Sequence, residues 1–253
     1  MRTALALTVA SLVSAQNPGG QGGRAAPLPP RQAAVIDITG FWVSQINEDW
    51  RWRMLTPPKG DYASVPLNPE GKKIADAWDA AKDESAGEAC KAYGAAGLMR
   101  LPTRLHITWA DDNTLKVETD AGQQTRLFHF NPPKQQAGEA TWQGDSSAMW
   151  VKQAQQKGFA PPYNGPTPGK GGALKVVTTH MRAGYLRKNG VPYSGEAVLT
   201  EHFDRVELEG VSYLILTTAV EDPRYLSEVF LTSEQFKTEP DGSKWNPSPC
   251  KAR

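Results

Sequence analysis

Residues 38–55, ITGFWVSQINEDWRWRML, decide the fold because they open the part of the chain that has a core-forming pattern. They hold three of the eight tryptophans, and residues 38–46 predict a first β-strand. A short polar connection leads to residues 50–55, whose period of two predicts a second, half-buried strand. The two faces of that strand carry different side chains: Trp50, Trp52 and Met54 on one, Arg51 and Arg53 on the other.

The residues before this stretch predict export followed by a spacer. Residues 1–15 combine a basic start at Arg2, a short apolar run and small residues before a cleavage point, as secretory signal peptides do. Residues 16–37 are rich in glycine and proline without periodicity, which predicts a flexible linker. The apolar run is too short to span a bilayer, so no transmembrane segment is predicted. We therefore expect a periplasmic or extracellular protein.

One helical signal interrupts the strands. Asn68 and Pro69 provide an N-cap and a proline at the first helical position, and this predicts a helical insertion near residues 69–95. Counted over the whole chain, nine or ten segments with a period of two have short connectors, and they do not alternate with helices. This pattern predicts a mainly β fold, an antiparallel β-barrel or a sandwich. Some strands are apolar on both faces, so we expect the insertion to cover part of the outer wall.

Gly40-Phe41-Trp42 resembles the Gly-x-Trp motif of lipocalins and the wider calycin barrels. The resemblance implies that the tryptophan packs across the closed end of an up-and-down barrel. We accordingly expect one calycin-like β-barrel domain over residues 38–253, with a C-terminal tail from about residue 238.

A second resemblance covers roughly residues 100–237. This region resembles a group of secreted bacterial proteins of unassigned function, and it implies a shared fold and compartment but no activity. The matching segments are Trp142, Gly144 and Asp145, then Val176 to Thr179, then Glu201, Phe203, Arg205 and Val206, and finally Val220 to Pro223.

Composition excludes several classes of function. The formal net charge is +1, from 28 basic and 27 acidic residues that are interspersed, so no nucleic-acid partner or polybasic membrane face is indicated. The chain contains no phosphate loop, dinucleotide fingerprint or nucleophile elbow, and its four histidines lack the spacing of a known metal signature. We therefore expect no cofactor and no metal.

The candidate catalytic residues are single side chains: Glu201, His180 and His202 on predicted strands, and Asp145 in a Gly-Asp-Ser segment. Glu201 and Arg205 lie two pleats apart on one strand face, which predicts a buried ion pair. Alternatively, an apolar wall raises the pKa of Glu201 and makes it an acid or base. Asp145 fits a turn or ladder-capping role as well as a chemical one.

The candidate ligand-binding residues are aromatic and basic: Arg51, Trp52, Arg53, Tyr62 and Tyr185. One interpretation buries the tryptophans in the core and leaves the arginines outside. The other turns the arginines into a cup that faces an anionic ligand, with tryptophan as a stacking wall. Tyr185, together with Arg187 and Tyr193, would then form the rim of that cup.

The leading functional hypothesis is the binding of a small amphipathic or aromatic ligand inside the barrel. The alternative is a cofactor-independent lyase, isomerase or hydrolase that uses Glu201, a histidine and Asp145 in the same cavity. A third possibility is an interaction module whose interior is filled by side chains. A cavity lined by Glu201 and histidine favours the enzyme, and a cavity lined by apolar groups and arginine favours ligand binding. The absence of a cavity favours the interaction module.

Cys90 and Cys250 are the only cysteines of the chain. An oxidising compartment favours a disulfide between them. Such a bond would fasten the C-terminal tail to the helical insertion.

Overall fold

A computed structural model describes residues 27–132, 138–152 and 171–253. The strands within these residues are β1 (Gly40–Gln45), β2 (Arg104–Asp111), β3 (Thr114–Thr119), β4 (Thr125–His129), β5 (Asp145–Lys152), β6 (Gly172–Thr179), β7 (Gly184–Arg187), β8 (Val191–Tyr193), β9 (Val198–Leu208), β10 (Val211–Glu221) and β11 (Phe230–Glu239). The helices are α1 (Trp50–Arg53), α2 (Pro69–Asp76), α3 (Ala80–Ser85) and α4 (Ala95–Leu98), with a 3₁₀ helix at Ala89–Tyr93. The predicted signal peptide lies outside the described residues.

Nine strands form a closed barrel in the order β1, β11, β10, β9, β6, β5, β4, β3 and β2, and β2 pairs with β1 again. The predicted β-barrel is therefore confirmed. Its pairs are antiparallel except β4 and β5, which run parallel. The remaining strands, β7 and β8, form a separate hairpin.

The inner face of the barrel follows directly from the period of two. Along β9 the buried residues are Leu199, Glu201 and Phe203, and every intervening residue is less buried. The same alternation in the other strands fills the interior with apolar side chains, which is the main stabilising contribution to such a fold. The largest of them are Trp42, Leu105, Ile107, Leu115, Phe128, Leu174, Phe203 and Phe236.

One end of the barrel, which we call the base, is where β1 begins and β11 ends. The chain before β1 packs against this end: Trp150 Nε1 donates to the Pro30 carbonyl at 2.8 Å, and Arg205 Nη1 donates to the Asp37 carbonyl at 2.7 Å. Trp42 is buried above it and donates from Nε1 to the Ile38 carbonyl at 2.9 Å. The later part of the predicted linker thus contacts the barrel, whereas residues 16–26 lie outside the described residues.

The opposite end, which we call the mouth, is covered by the helical insertion and the β7–β8 hairpin. Ala95 and Ala96 of α4, with Leu186 and Tyr193 of the hairpin, pack on the inward side chains at this end of the barrel: Leu199, Val220 and Phe230. Here the sequence-based expectation was wrong, because the insertion covers the mouth and not the outer wall. Apolar residues exposed at an open barrel end are buried by this arrangement.

The start of the helical insertion is stabilised by a helix cap and by close packing at glycines. Asn68 caps α2 by accepting from Gly71 N at 2.8 Å, as the sequence predicted. A Cβ on Gly71 would lie 2.4 Å from the Tyr225 carbonyl oxygen, so only glycine allows α2 to pack this closely on the β10–β11 connection. At the tip of the hairpin, a Cβ on Gly190 would likewise clash with the side chain of Trp78, at 2.2 Å.

The predicted second strand over residues 50–55 is wrong. The chain forms one helical turn, α1, after Asp49 takes up a left-handed conformation with φ 51°. Trp50 is 63% exposed and Arg53 only 5%, which is the reverse of a strand with tryptophan inside and arginine outside. Six residues that alternate between apolar and basic side chains are also compatible with a single turn of helix. The contacts of Arg53, described below, stabilise that helical turn.

Cys90 and Cys250 form the predicted disulfide, which fastens the C-terminal tail beside the helical insertion. The tail is also held by its backbone, since Ser248 N donates to the Asp120 carbonyl at 2.9 Å. Among the helices of the described residues, none has the length and apolar character needed to cross a membrane.

Candidate functional site

A pocket of about 260 Å³ lies at one side of the mouth. Its volume is slightly below the usual range of small-molecule sites, roughly 300–1,000 Å³, so it suits a small ligand. Three segments supply most of its wall, namely residues 52–56, 100–102 and 186–188, and Tyr93, Ala121 and Ser248 complete it. We call this the mouth pocket.

Trp52 is the aromatic wall of the mouth pocket, and its ring is held in place by neighbours. Its Nε1 donates to Asp61 Oδ1 at 3.1 Å, and this hydrogen bond is the main reason that the pKa of Asp61 is lowered. Two guanidinium groups contact the ring: Arg51 Cζ lies 5.4 Å and Arg187 Cζ 5.0 Å from its centroid. Cations at such distances are attracted to the face of an indole.

Two of the arginines in the wall are bound by carboxylates. Arg100 donates to Glu234 Oε1 at 3.0 Å and to Asp49 Oδ2 at 2.8 Å. Arg53 donates from Nε to the Arg100 carbonyl at 2.9 Å and forms an ion pair with Glu48. These contacts fix both guanidinium groups and explain why α1 turns Arg53 inward.

Glu234 is the most deeply buried carboxylate of this group, with a side chain 0% exposed. It faces Arg100 and Arg53, and its Oε2 accepts from Thr218 at 3.1 Å. Burial raises the pKa of Glu234, because a charged carboxylate loses its hydration there, and the nearby cations only partly offset this. Glu234 therefore takes up a proton more readily than an exposed glutamate.

Arg187 differs from the other arginines of the wall. It is 4% exposed, and it donates to the Ala63 carbonyl at 2.8 Å and to Ser64 Oγ at 3.2 Å, while its Nε has no partner among the described residues. Within the described residues, no acidic side chain forms an ion pair with it. Burial, with a contribution from the charge of Arg100, lowers the pKa of Arg187 to about 10. The fold thus buries a cation that has no ion-pair partner among the described residues, and Asp49 and Asp61 favour its charge only from a longer distance.

Lys188 adds a second cation without an acidic partner in the described part of the chain. Its Nζ lies 5.6 Å from the ring centroid of Tyr93, on the wall of the mouth pocket. Lys188 is half-buried, whereas Arg187 is buried.

The predicted binding residues are divided by the structure. Trp52 and Arg53 line the mouth pocket, but Arg51 points outward and pairs with Asp61 at 2.7 Å. Tyr62 donates to Asp76 Oδ1 at 2.9 Å, and burial raises its pKa to about 12. Tyr185 donates to Asp83 Oδ2 at 2.9 Å, and burial raises its pKa as well. Neither tyrosine lines the pocket. Of the predicted rim, Arg187 is in place, whereas Tyr193 is buried beneath it.

The predicted catalytic residues do not share one site. Glu201 lies inside the barrel in an ion pair with Arg126, at 2.6 and 2.8 Å, and not with Arg205, which lies at the base. His202 alternates with Glu201 along β9 and therefore faces outward. His180 Nδ1 and Asp145 Oδ2 are 2.7 Å apart, but this partly exposed pair is not joined by the other two candidates.

Sequence reasoning missed Arg100, Lys188 and Arg126. Arg126 could have been found, because it shares its strand face with Phe128, so a strand in which Phe128 is inward carries an inward arginine. Arg100 and Lys188 stand in connections where no periodicity assigns a face.

The described residues contain no group of three or more histidine, cysteine, aspartate or glutamate side chains placed to hold a metal ion. Comparison of the chain with protein-family models, with curated proteins and with solved structures gave no match.

Proposed function

We propose that this protein binds a small amphipathic or aromatic molecule in the mouth pocket, and that it does so in the periplasm or outside the cell. The observation that carries the proposal is the wall of that pocket, where the ring of Trp52 and the apolar side chains of Leu101 and Leu186 meet a group of cations. Concave sites with apolar walls and a few polar groups are typical of small-molecule binding.

The sequence placed the ligand inside the barrel, and the packing supports the mouth instead. Phe128, Phe203 and Phe236 occupy the interior from the base upward, and the buried pair of Arg126 and Glu201 lies above them. The enzyme alternative has less support, because Glu201 lies inside the barrel, His202 faces outward, and only His180 and Asp145 contact each other. The compartment is supported by the disulfide, since such bonds persist in oxidising environments.

The relationship to calycin barrels remains our proposal. It is supported by Trp42, which is buried near the base as the resemblance implies, and by the pairing of strands that follow one another in sequence. The barrel departs from a simple up-and-down order at the parallel pair of β4 and β5.

Native mass spectrometry of the protein purified from its own compartment tests the proposed binding. We expect a retained small molecule in the wild type and its loss in Trp52→Ala, which removes the aromatic wall. Trp50→Ala is the matched control, because Trp50 stands on the same helical turn, is exposed and does not line the pocket. An empty wild-type protein whose melting temperature no compound of a metabolite library raises would refute the proposal.

A further inference from the structure

We infer that the ligand carries a single compact anionic group, such as a carboxylate, on its apolar or aromatic body, and that Arg187 and Lys188 bind this group. The inference rests on the proposed function of the mouth pocket and names the chemistry that this pocket selects.

The first step is the balance of charge around the pocket. Four cations line it: Arg53, Arg100, Arg187 and Lys188. Three carboxylates, Glu48, Asp49 and Glu234, engage the first two of these cations. Arg51 and Asp61, beside Trp52, pair with each other and cancel. The lining cations and the carboxylates that engage them therefore leave an excess of one positive charge, and a ligand with one negative charge neutralises it.

The second step is the burial of Arg187. A charge removed from water is destabilising unless a partner of opposite charge or a full set of hydrogen bonds replaces its hydration. Arg187 has two neutral acceptors, Ala63 and Ser64, and its Nε has none among the described residues. An anion in the pocket supplies the missing charge at this wall.

The third step is the position of the aromatic wall relative to this cation. The guanidinium of Arg187 lies 5.0 Å from the ring centroid of Trp52, so a ligand whose acidic group lies beside Arg187 extends its body along Trp52. Lys188, which lines the pocket beside Tyr93 and is more exposed than Arg187, supplies the second cation. An acid attached to a ring or to a short apolar chain satisfies all three features.

Two fluorescent probes with the same skeleton test the inference: 1-anilinonaphthalene-8-sulfonate, which is an anion, and N-phenyl-1-naphthylamine, which lacks the sulfonate. We expect the wild type to bind the sulfonate more tightly, and Arg187→Met to weaken its binding by about tenfold or more, as expected for loss of a charged hydrogen-bonding partner. Binding of the neutral probe should change by less than about twofold.

Lys188→Met keeps the test decisive if Arg187→Met does not fold, because Lys188 is half-buried and holds no ion pair in the described residues. It should also weaken the sulfonate selectively. Arg224→Met is the matched control, since this exposed arginine lies on the β10–β11 connection away from the pocket and should leave both affinities unchanged.

The outcomes separate the two proposals. Equal binding of the two probes, with Lys188→Met changing neither, overturns the anionic ligand while the mouth pocket stands. Failure of both probes to bind overturns the mouth pocket itself, and the inference with it. Sulfonate binding that persists in Trp52→Ala takes place outside the pocket and also overturns the inference.

Discussion

Replacing Arg126 by methionine is expected to destabilise the protein more than any single surface change. The side chains of Arg126 and Glu201 are 0% and 1% exposed, and two hydrogen bonds of 2.8 and 2.6 Å join them. Methionine preserves much of the arginine stem but removes the charge. Because it leaves the Glu201 carboxylate buried and unpaired, we expect the free energy of unfolding to fall by about 3–5 kcal/mol.

The double variant Arg126→Met, Glu201→Leu separates the cost of an orphaned charge from the cost of lost packing. Both changes together leave an apolar pair of similar volume, and such replacements are often neutral or stabilising by about 1–4 kcal/mol. Arg126 Nη2 also donates to Thr178 Oγ1 at 3.2 Å, and Thr178 keeps a second partner in Ser146 at 2.7 Å. We therefore expect the double variant to recover most of the loss.

Urea titration followed by tryptophan fluorescence, with the disulfide intact, measures each free energy of unfolding. Arg205→Met is the matched control, because this exposed arginine lies on the same side of β9 as Glu201 but at the base, and its partners among the described residues are Asp37 and Ser212. We expect it to cost less than about 1 kcal/mol. Equal losses in Arg126→Met and in the double variant would refute the reasoning, since packing alone would then account for them.

Three further predictions concern the disulfide, the buried carboxylate and the hairpin. Replacing Cys90 and Cys250 by alanine should lower the free energy of unfolding by up to about 5 kcal/mol, because the bond closes a loop with a sequence separation of 160; an unchanged denaturation midpoint would contradict this. Lowering the pH should strengthen binding of the sulfonate probe, because the raised pKa of Glu234 lets it lose its negative charge above its ordinary 4.5 while the sulfonate stays ionised. Glu234→Gln should bind more tightly with a flat pH profile, and a wild-type profile that is equally flat would oppose the prediction. Gly190→Ala, at φ +82° and with its added Cβ 2.2 Å from a tryptophan, should lower the melting temperature more than Gly210→Ala, which has φ +75° and open space and should cost only about 1 kcal/mol; calorimetry compares the two.

The strands were predictable because the face of a strand is encoded in every second residue. Leu214, Leu216 and Val220 alternate with less buried neighbours along β10, and the sequence alone assigns them to one face. Closure of the barrel was not encoded in this way. It depends on the pairing of Phe41 with Glu239, and no local pattern links residues so far apart.

Helix α1 shows where the same reasoning failed. Six residues that alternate in polarity are too few to separate a strand from a single helical turn, and the deciding interactions are tertiary. Arg53 is held by Glu48 and by the carbonyl of Arg100, which comes from a distant connection. The binding hypothesis named the arginine and the tryptophan of the site but could not place them on the same turn.

The prediction that Glu201 pairs with Arg205 was wrong for a related reason. Within one strand, Arg205 is the nearest arginine on the same face, and that made it the predicted partner. Inside a closed barrel, however, side chains from non-adjacent strands meet across the interior, and Arg126 of β4 pairs with Glu201 there, whereas Arg205 lies at the base. Such partners become predictable only after the order of the strands is known.

Closure of the barrel by its first and last strands also makes folding depend on a long-range pairing. Strand β1 pairs on one side with β2 and on the other with β11, so one of its edges is paired only after residues about 200 positions later in the sequence are in place. Non-local pairings of this kind fold slowly. Cys250 follows β11 in sequence, so its bond to Cys90 also spans the whole barrel, with a sequence separation of 160.

A chain that ends before Phe230 would retain two unpaired strand edges, at β1 and at β10. Unpaired edges are templates for pairing with other chains. Chains truncated before Phe230 should therefore associate with one another through these two edges.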